Sequence, residues 1–286
     1  MKKSTLKSLL AAAAASMVLL TGCERNKVDI TEGITVIDEL SPSSVGNIDE
    51  LTLEKGDLVA VFDIKGYGTI TAKLFPDIAP IGVDNFKQLA DSGYYDGKNL
   101  HRVMPNFMMQ GGSLNGDGTG GNAVVSGGVF GIETDTEKAC HFYGALCYAN
   151  AGGMNSTQFY IVNNKEPQDI SAMTEYYAQN MREAQSLVEK ASEEAEKQYY
   201  QSYADYFAQV VEQFGNITEE AEAKYAKVGG TPSLDGSYTV FGQVYNGFDV
   251  IDAIAAVELT ENAGGELSSP KKEIIINSVK VIEFEG

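Results

Sequence analysis

NLHRVMPNFMMQGG, residues Asn99 to Gly112, sets a single arginine, Arg102, among Val103, Met104, Pro105, Phe107, Met108 and Met109, and closes on Gln110. Arginine is rarely buried without a partner, so a cation beside that much apolar surface must be held by something. LHRVM and FMMQGG are strand candidates. Strand alternation points Met109 opposite to Met108 and Gln110, which assigns Met109 to the core.

Similar texture extends on both sides. LVAVFDI (Leu58–Ile64) and TITAKLF (Thr69–Phe75) alternate with β-branched residues and are separated by Lys65-Gly66-Tyr67-Gly68, a hairpin signal. Pro80 heads a predicted helix with Ile81, Val83, Phe86, Leu89 and Ala90 on one face, stopped by Gly93. GALCYAN and TQFYIV are further strand candidates, with glycine-rich turns such as SLNGDGTGGNAVVSGG between strands. Past Gly229-Gly230 come SYTVFGQV, a short helix near Asp249–Val257 and a last strand within KKEIIINSVKVIEFE.

Residues 165–228 break the pattern with almost no glycine, 13 acidic and 6 basic residues. Their Glu, Ala and Gln favour helix, with Asp169 or Ser171 as N-cap and Gly215 as stop. Tyr176, Tyr177, Tyr199, Tyr200, Tyr203, Tyr206 and Phe207 can serve as a client-binding surface. Aromatic residues at helical spacing are more often core, which favours a self-packed helical hairpin. A helical block therefore interrupts a β domain.

The 286 residues carry a net charge of −19, with no basic footprint for nucleic acid. MKKSTLKSLLAAAAASMVLLTGC has a basic start, a short apolar run and small residues before Cys23, the pattern of an export signal. Leu20-Thr21-Gly22-Cys23 resembles the bacterial lipobox, which implies a lipidated Cys23. The expected organisation is a signal peptide over 1–22, a tether over 23–50, a β domain over 51–164 and 231–286, and a helical insertion over 165–230. Cys140 and Cys147 read as unpaired buried thiols rather than a disulfide. No metal-ligand spacing surrounds His141. Gly116–Gly121 lacks the residues of a phosphate or calcium loop, and no nucleophile elbow supports a hydrolase.

Four blocks in order, HRVMPNFMMQGG, GDGTGG, ANAGGMNSTQFYIV and LDGSYTVFGQV, resemble the cyclophilins, peptidyl-prolyl cis/trans isomerases. The resemblance covers about three-fifths of the chain. It implies a mainly β fold: a closed eight-stranded antiparallel barrel capped by two helices, here with an added helical insertion. It implies isomerisation of X–Pro bonds with no cofactor and no metal. The implied catalytic residues are Arg102 and Gln110. The implied peptide-binding residues are Phe107, Met108, Ala149, Asn150, Gln158, Tyr160, Leu234 and Tyr238, and the glycine loop flanks the groove. Ser233 stands where many members carry Trp, Tyr238 where they carry His, and Tyr160 where Phe is usual, adding a hydroxyl to the wall. The expected partners are proline-containing polypeptides at the cell envelope, with a membrane contact only through the lipid anchor. The same groove without turnover would make a peptide-binding chaperone or scaffold. His101 reads as structural.

Overall fold

The first alternating run forms β1 (Leu58–Ile64), which turns into β2 (Gly68–Leu74) with Val59 opposite Lys73 and Ile64 opposite Gly68. The computed structural model describes residues 51–286; the expected signal peptide, the tether and Cys23 lie outside the described residues. The remaining strands are β3 (Leu100–Met104), β4 (Met108–Gly111), β5 (Phe130–Gly131), β6 (Ala145–Ala151), β7 (Met154–Val162), β8 (Val240–Asn246), β9 (Leu259–Glu261), β10 (Leu267–Pro270) and β11 (Ile276–Glu283). The main sheet runs β11-β1-β2-β8-β6-β7-β4-β3, antiparallel throughout, with β5 added on β7. The first and last strands pair along their whole length, Leu58 opposite Glu283 and Ile64 opposite Ile276.

The sheet curls, but it does not close as a barrel by strand pairing. Its ends meet along a short seam at the Asn99–Ile275 bridge, where Leu100 N–H donates to Ile274 O, Ile276 N–H to Lys98 O and Gly97 N–H to Ile276 O. The register of β3 against β4 slips between Leu100 and Arg102, and a slip of this kind bends a strand out of line. The separate β9–β10 hairpin, rather than β11, then packs against β3. An open half-barrel replaces the expected closed one.

Inward-facing aromatic side chains fill the curl. Phe62, Phe86, Tyr95, Phe159 and Phe241 are fully buried, with Phe86 5.1 Å from Phe241 and edge-on to Phe159 at 6.0 Å. Phe86 belongs to α1 (Pro80–Asp91), whose buried face includes Val83, Leu89 and Ala90 as predicted. Ile81 departs from the prediction and is 42% exposed. Asn85 occupies the buried face instead, donating to the Tyr148 hydroxyl and Ser156 O and accepting from Val124 N–H. No local side chain caps the helix. Glu133 reaches it from 52 positions away, accepting from the Ile81 and Gly82 N–H groups at 3.0 and 2.8 Å.

The glycine-poor block forms α2 (Ile170–Lys190), α3 (Glu194–Gly215) and α4 (Glu219–Val228). Asp169 caps α2 by accepting from Ala172 N–H. Tyr177, near the start of α2, lies 5.6 Å from Phe214 near the end of α3, so the two helices run antiparallel. Ala184 and Ala204 are buried between them. Tyr177, Tyr206 and Phe207 pack inward, whereas Tyr176 and Tyr199 stay half exposed. Tyr225 of α4 packs on Phe142 with ring centroids 4.6 Å apart and planes tilted by 49°, docking the block against the β domain. Gly230 then lets the chain pass: at φ 136° a Cβ there would sit 2.3 Å from His141 O. The second capping helix, α5 (Phe248–Ala255), buries Phe248, Val250, Ile251 and Ile254. Among the described residues no helix is long and apolar enough to cross a membrane.

Candidate active site

Three neighbouring strands carry the centre of the site. Arg102 on β3 faces Gln110 on β4, and Gln110 faces Tyr160 on β7. The turn between β3 and β4 is held by Asn106 at φ 57°, a conformation that asparagine tolerates. Asn163 Oδ1 accepts from Phe107 N–H and fixes that ring at the hairpin tip. Met108 joins the cluster of Cys147, Tyr160, Leu234 and Tyr238, while Met109 enters the main core.

These residues line a groove of about 570 Å³ that also takes in Ala149, Asn150 and the Gly116-Asp117-Gly118 loop. Every predicted site residue within the described chain reaches this groove except Gln158. That side chain stands behind it, accepting from Gln110 Nε2 at 2.9 Å and donating to Gly118 O. It ties Gln110 to the glycine loop. Asn150 is also fixed, its Nδ2 donating to Ser237 O and its Oδ1 accepting from Gly153 N–H.

The arginine is held by a residue the sequence did not single out. Glu266, at the start of β10's approach, accepts from Arg102 Nε at 2.7 Å and from Nη2 at 2.8 Å, a two-pronged contact. Nη2 also meets Met104 Sδ at 3.0 Å. The remaining nitrogen, Nη1, lies beside Gln110 Oε1 at 3.5 Å and Met108 Sδ at 3.9 Å. Arg102 therefore presents one nitrogen toward the groove while two are anchored. The hydrogen bond from Arg102 holds the Glu266 carboxyl below its ordinary range despite partial burial. Asn262 Oδ1 accepts from Glu266 N–H and fixes the tip of the β9–β10 hairpin. Glu266 lies 164 positions from Arg102 with no local motif around it, so only the fold could reveal the pair.

His101 borders the groove, its Nδ1 3.5 Å from Ser113 Oγ. Burial, reinforced by the charge of Arg102, pushes its pKa down to about 4. A neutral ring at ordinary pH suits the structural role read from the sequence. The second histidine, His141, is fully buried. Its Nδ1 lies 2.7 Å from Asp235 Oδ1, and its Nε2 lies 3.0 Å from the Tyr160 hydroxyl. The extra hydroxyl of Tyr160 thus points into the protein, away from the substrate side of the wall where the sequence placed it. Cys140 and Cys147 are both free and buried, with burial raising both thiols. Among the described residues no group of three or more His, Cys, Asp or Glu is placed to hold a metal ion.

Residues 59–281 match the family described as "Cyclophilin type peptidyl-prolyl cis-trans isomerase/CLD". A Streptococcus pyogenes protein described as a bifunctional phosphatase/peptidyl-prolyl cis-trans isomerase is 35% identical over 223 residues, 76% of this chain but only 37% of that protein. A Staphylococcus haemolyticus protein described as a peptidyl-prolyl cis-trans isomerase is 36% identical over 215 residues, covering 75% of this chain and 86% of its own length. A Staphylococcus aureus counterpart is 35% identical, covering 76% and 88%. A cyclophilin-type isomerase of Cryptosporidium parvum shares the fold with TM-score 0.51 at 20% identity, over 80% of this chain and 99% of the other. It has also been crystallised in the presence of the dipeptide Ala-Pro.

Proposed function

The chain belongs to the cyclophilin-type peptidyl-prolyl cis-trans isomerases, and we propose that Arg102 and Gln110 carry its catalysis on proline segments of exported proteins. Rotation about an X–Pro bond must break amide resonance, against a barrier of roughly 18–20 kcal/mol, and takes tens to hundreds of seconds unaided. No covalent bond is made or broken. The catalyst has to grip the proline ring and favour the twisted amide, in which the prolyl nitrogen regains its lone pair.

Phe107, Met108, Tyr160 and Leu234 supply an apolar wall suited to a small ring with little directional bonding. Tyr238 sits edge-on to Tyr160 at 6.0 Å and extends that wall. Ala149 and Asn150 border the groove where the peptide backbone passes. Arg102 Nη1 donates to the twisted amide, and Gln110, steadied by Gln158, holds the neighbouring backbone. The guanidinium is a planar, rigid donor, and a fixed donor away from bulk water acts strongly on developing charge. Lowering the barrier by ~5–7 kcal/mol corresponds to about 10⁴–10⁵-fold acceleration. The observation that carries this reading is the placement of Arg102: Glu266 holds Nε and Nη2, while Nη1 keeps only long contacts, 3.5 Å to Gln110 Oε1 and 3.9 Å to Met108 Sδ, both groove residues.

A proline-isomer exchange assay tests it. Arg102→Ala is expected to lower kcat/KM at least about tenfold with peptide binding retained, a loss confined to the transition state. Equal, negligible rates in wild type and variant would leave a peptide-binding scaffold. The lipobox-like run supports lipidation at Cys23, which would tether the enzyme to the outer face of the cytoplasmic membrane, where it would assist folding of exported chains. Acyl chains on that cysteine would contribute about 0.8 kcal/mol per buried CH₂ to holding the protein there. Cys23→Ser is expected to move the protein from the membrane fraction to the soluble one.

A further inference from the structure

The buried contacts around Asp235 connect the groove to helices that do not line it. Tyr225 of α4 donates its hydroxyl to Asp235 Oδ2 at 2.7 Å. The other carboxylate oxygen accepts from the His141 N–H at 2.8 Å and faces His141 Nδ1 at 2.7 Å. A carboxylate only accepts, so His141 Nδ1 donates to it, and Nε2 pairs with the Tyr160 hydroxyl at 3.0 Å. Gln213 of α3 adds a grip on the backbone, its Nε2 donating to Asp235 O and, at 3.3 Å, to Pro232 O. The short turn Pro232–Leu234 therefore carries groove residue Leu234 under direct hold from α3. Asp235, His141, Tyr160 and Tyr225 are each less than one-twentieth exposed. No residue of α2, α3 or α4 lines the groove itself.

We propose that this helical block positions the proline-binding wall: Tyr225 and Gln213 hold Asp235, Asp235 holds His141, and His141 holds the Tyr160 hydroxyl. Two walls, Leu234 and Tyr160, take their places from helices outside the groove. The role of Asp235, His141 and Tyr225 is positioning; none of them touches substrate. Each group in the chain has its partner, so the network is rigid, and deleting one hydroxyl leaves a buried acceptor short of a donor. A ring freed at its hydroxyl end can tilt within the wall and weaken its fit to proline. Arg102 is not part of this chain of contacts, since Glu266 holds it through Nε and Nη2. The effect of loosening the chain therefore falls on substrate binding before it falls on turnover. Tyrosine at position 160 then has a use that phenylalanine cannot fill.

The proposal rests on the groove reading above, which wild-type turnover tests by itself. The experiment compares the full chain with Tyr225→Phe, Tyr160→Phe and the double variant, using a proline tetrapeptide. Each single change is expected to raise KM about threefold to tenfold with kcat moved by less than about twofold, and the double variant to match the larger single effect, because both cut one chain. Unchanged KM in a folded Tyr225→Phe variant, or effects that multiply independently, overturns the proposal. If Tyr225→Phe does not fold, the unmodified protein labelled at histidine nitrogen gives the second readout. Saturating tetrapeptide is expected to shift the His141 ring resonances, and ring resonances that stay in place also overturn it.

Discussion

At the scale of single residues the site turns on how one cation is held. Glu266→Gln keeps the shape of the side chain but removes the charge that fixes Arg102, and it is expected to lower kcat/KM about threefold to tenfold, mainly through kcat. Because Arg102 depresses the Glu266 pKa below its ordinary 4.5, the pair's contribution to stability is full above that value and is lost as pH falls through the folded one. Denaturant unfolding of wild type and Glu266→Gln is therefore expected to differ at neutral pH and to converge in acid. His101 contributes in the same direction. Folded, it binds its proton more weakly than the unfolded chain, so unfolding takes up a proton between pH about 4 and 6.5, and stability rises with pH across that window. An NMR titration of the His101 ring should show its midpoint near about 4. Arg102, Gln110 and the apolar wall were legible because they fall in contiguous blocks of sequence. Glu266 was not, because an ion pair across 164 positions leaves no periodic or local trace. The direction of the Tyr160 hydroxyl was equally hidden, since strand alternation fixes a side chain's face but not which buried partner its tip will find.

At the scale of elements, the apolar spacing read from sequence located α1 and most of its buried face, yet its true N-terminal cap lies far along the chain. Glu133 accepts from two free N–H groups at the positive end of the helix, an arrangement that serves as capping and as charge complement together. Glu133→Ala is expected to cost about 1 kcal/mol of unfolding free energy, the usual worth of a cap. Equilibrium unfolding in denaturant measures it, with Glu133→Gln expected to recover part of the loss. Ile81, whose N–H also meets Glu133, lies off the buried face and is 42% exposed. The helical block was legible as helix from composition, and its inward aromatic residues followed the spacing. The break at 216–218 follows Gly215, the stop read from the sequence, whereas the break at 191–193 contains neither glycine nor proline and had no such signal.

At the scale of the whole molecule, strand number and order emerge from alternation and turn residues, whereas closure depends on where two distant ends meet. That meeting is a short seam of three backbone hydrogen bonds around the Asn99–Ile275 bridge, set beside a register slip in β3. Backbone pairing is sparse along this seam, while β1 is bonded on both sides by β2 and β11. Amide hydrogen exchange is therefore expected to be faster at Leu100 than at Ala60 or Phe62 by at least about tenfold, because sparse pairing opens at lower free energy than a central ladder. Comparable protection at these positions would mean that the curl behaves as a closed unit.

β1 and β11 lie side by side although nearly the whole chain separates them. A ribosome making this protein thus exposes a nascent chain whose β1 edge stays unmated until β11 leaves the exit tunnel. Early elongation can assemble hairpins and helices, but completing the core must wait for β11, and until then the bare edge is open to pairing with other chains.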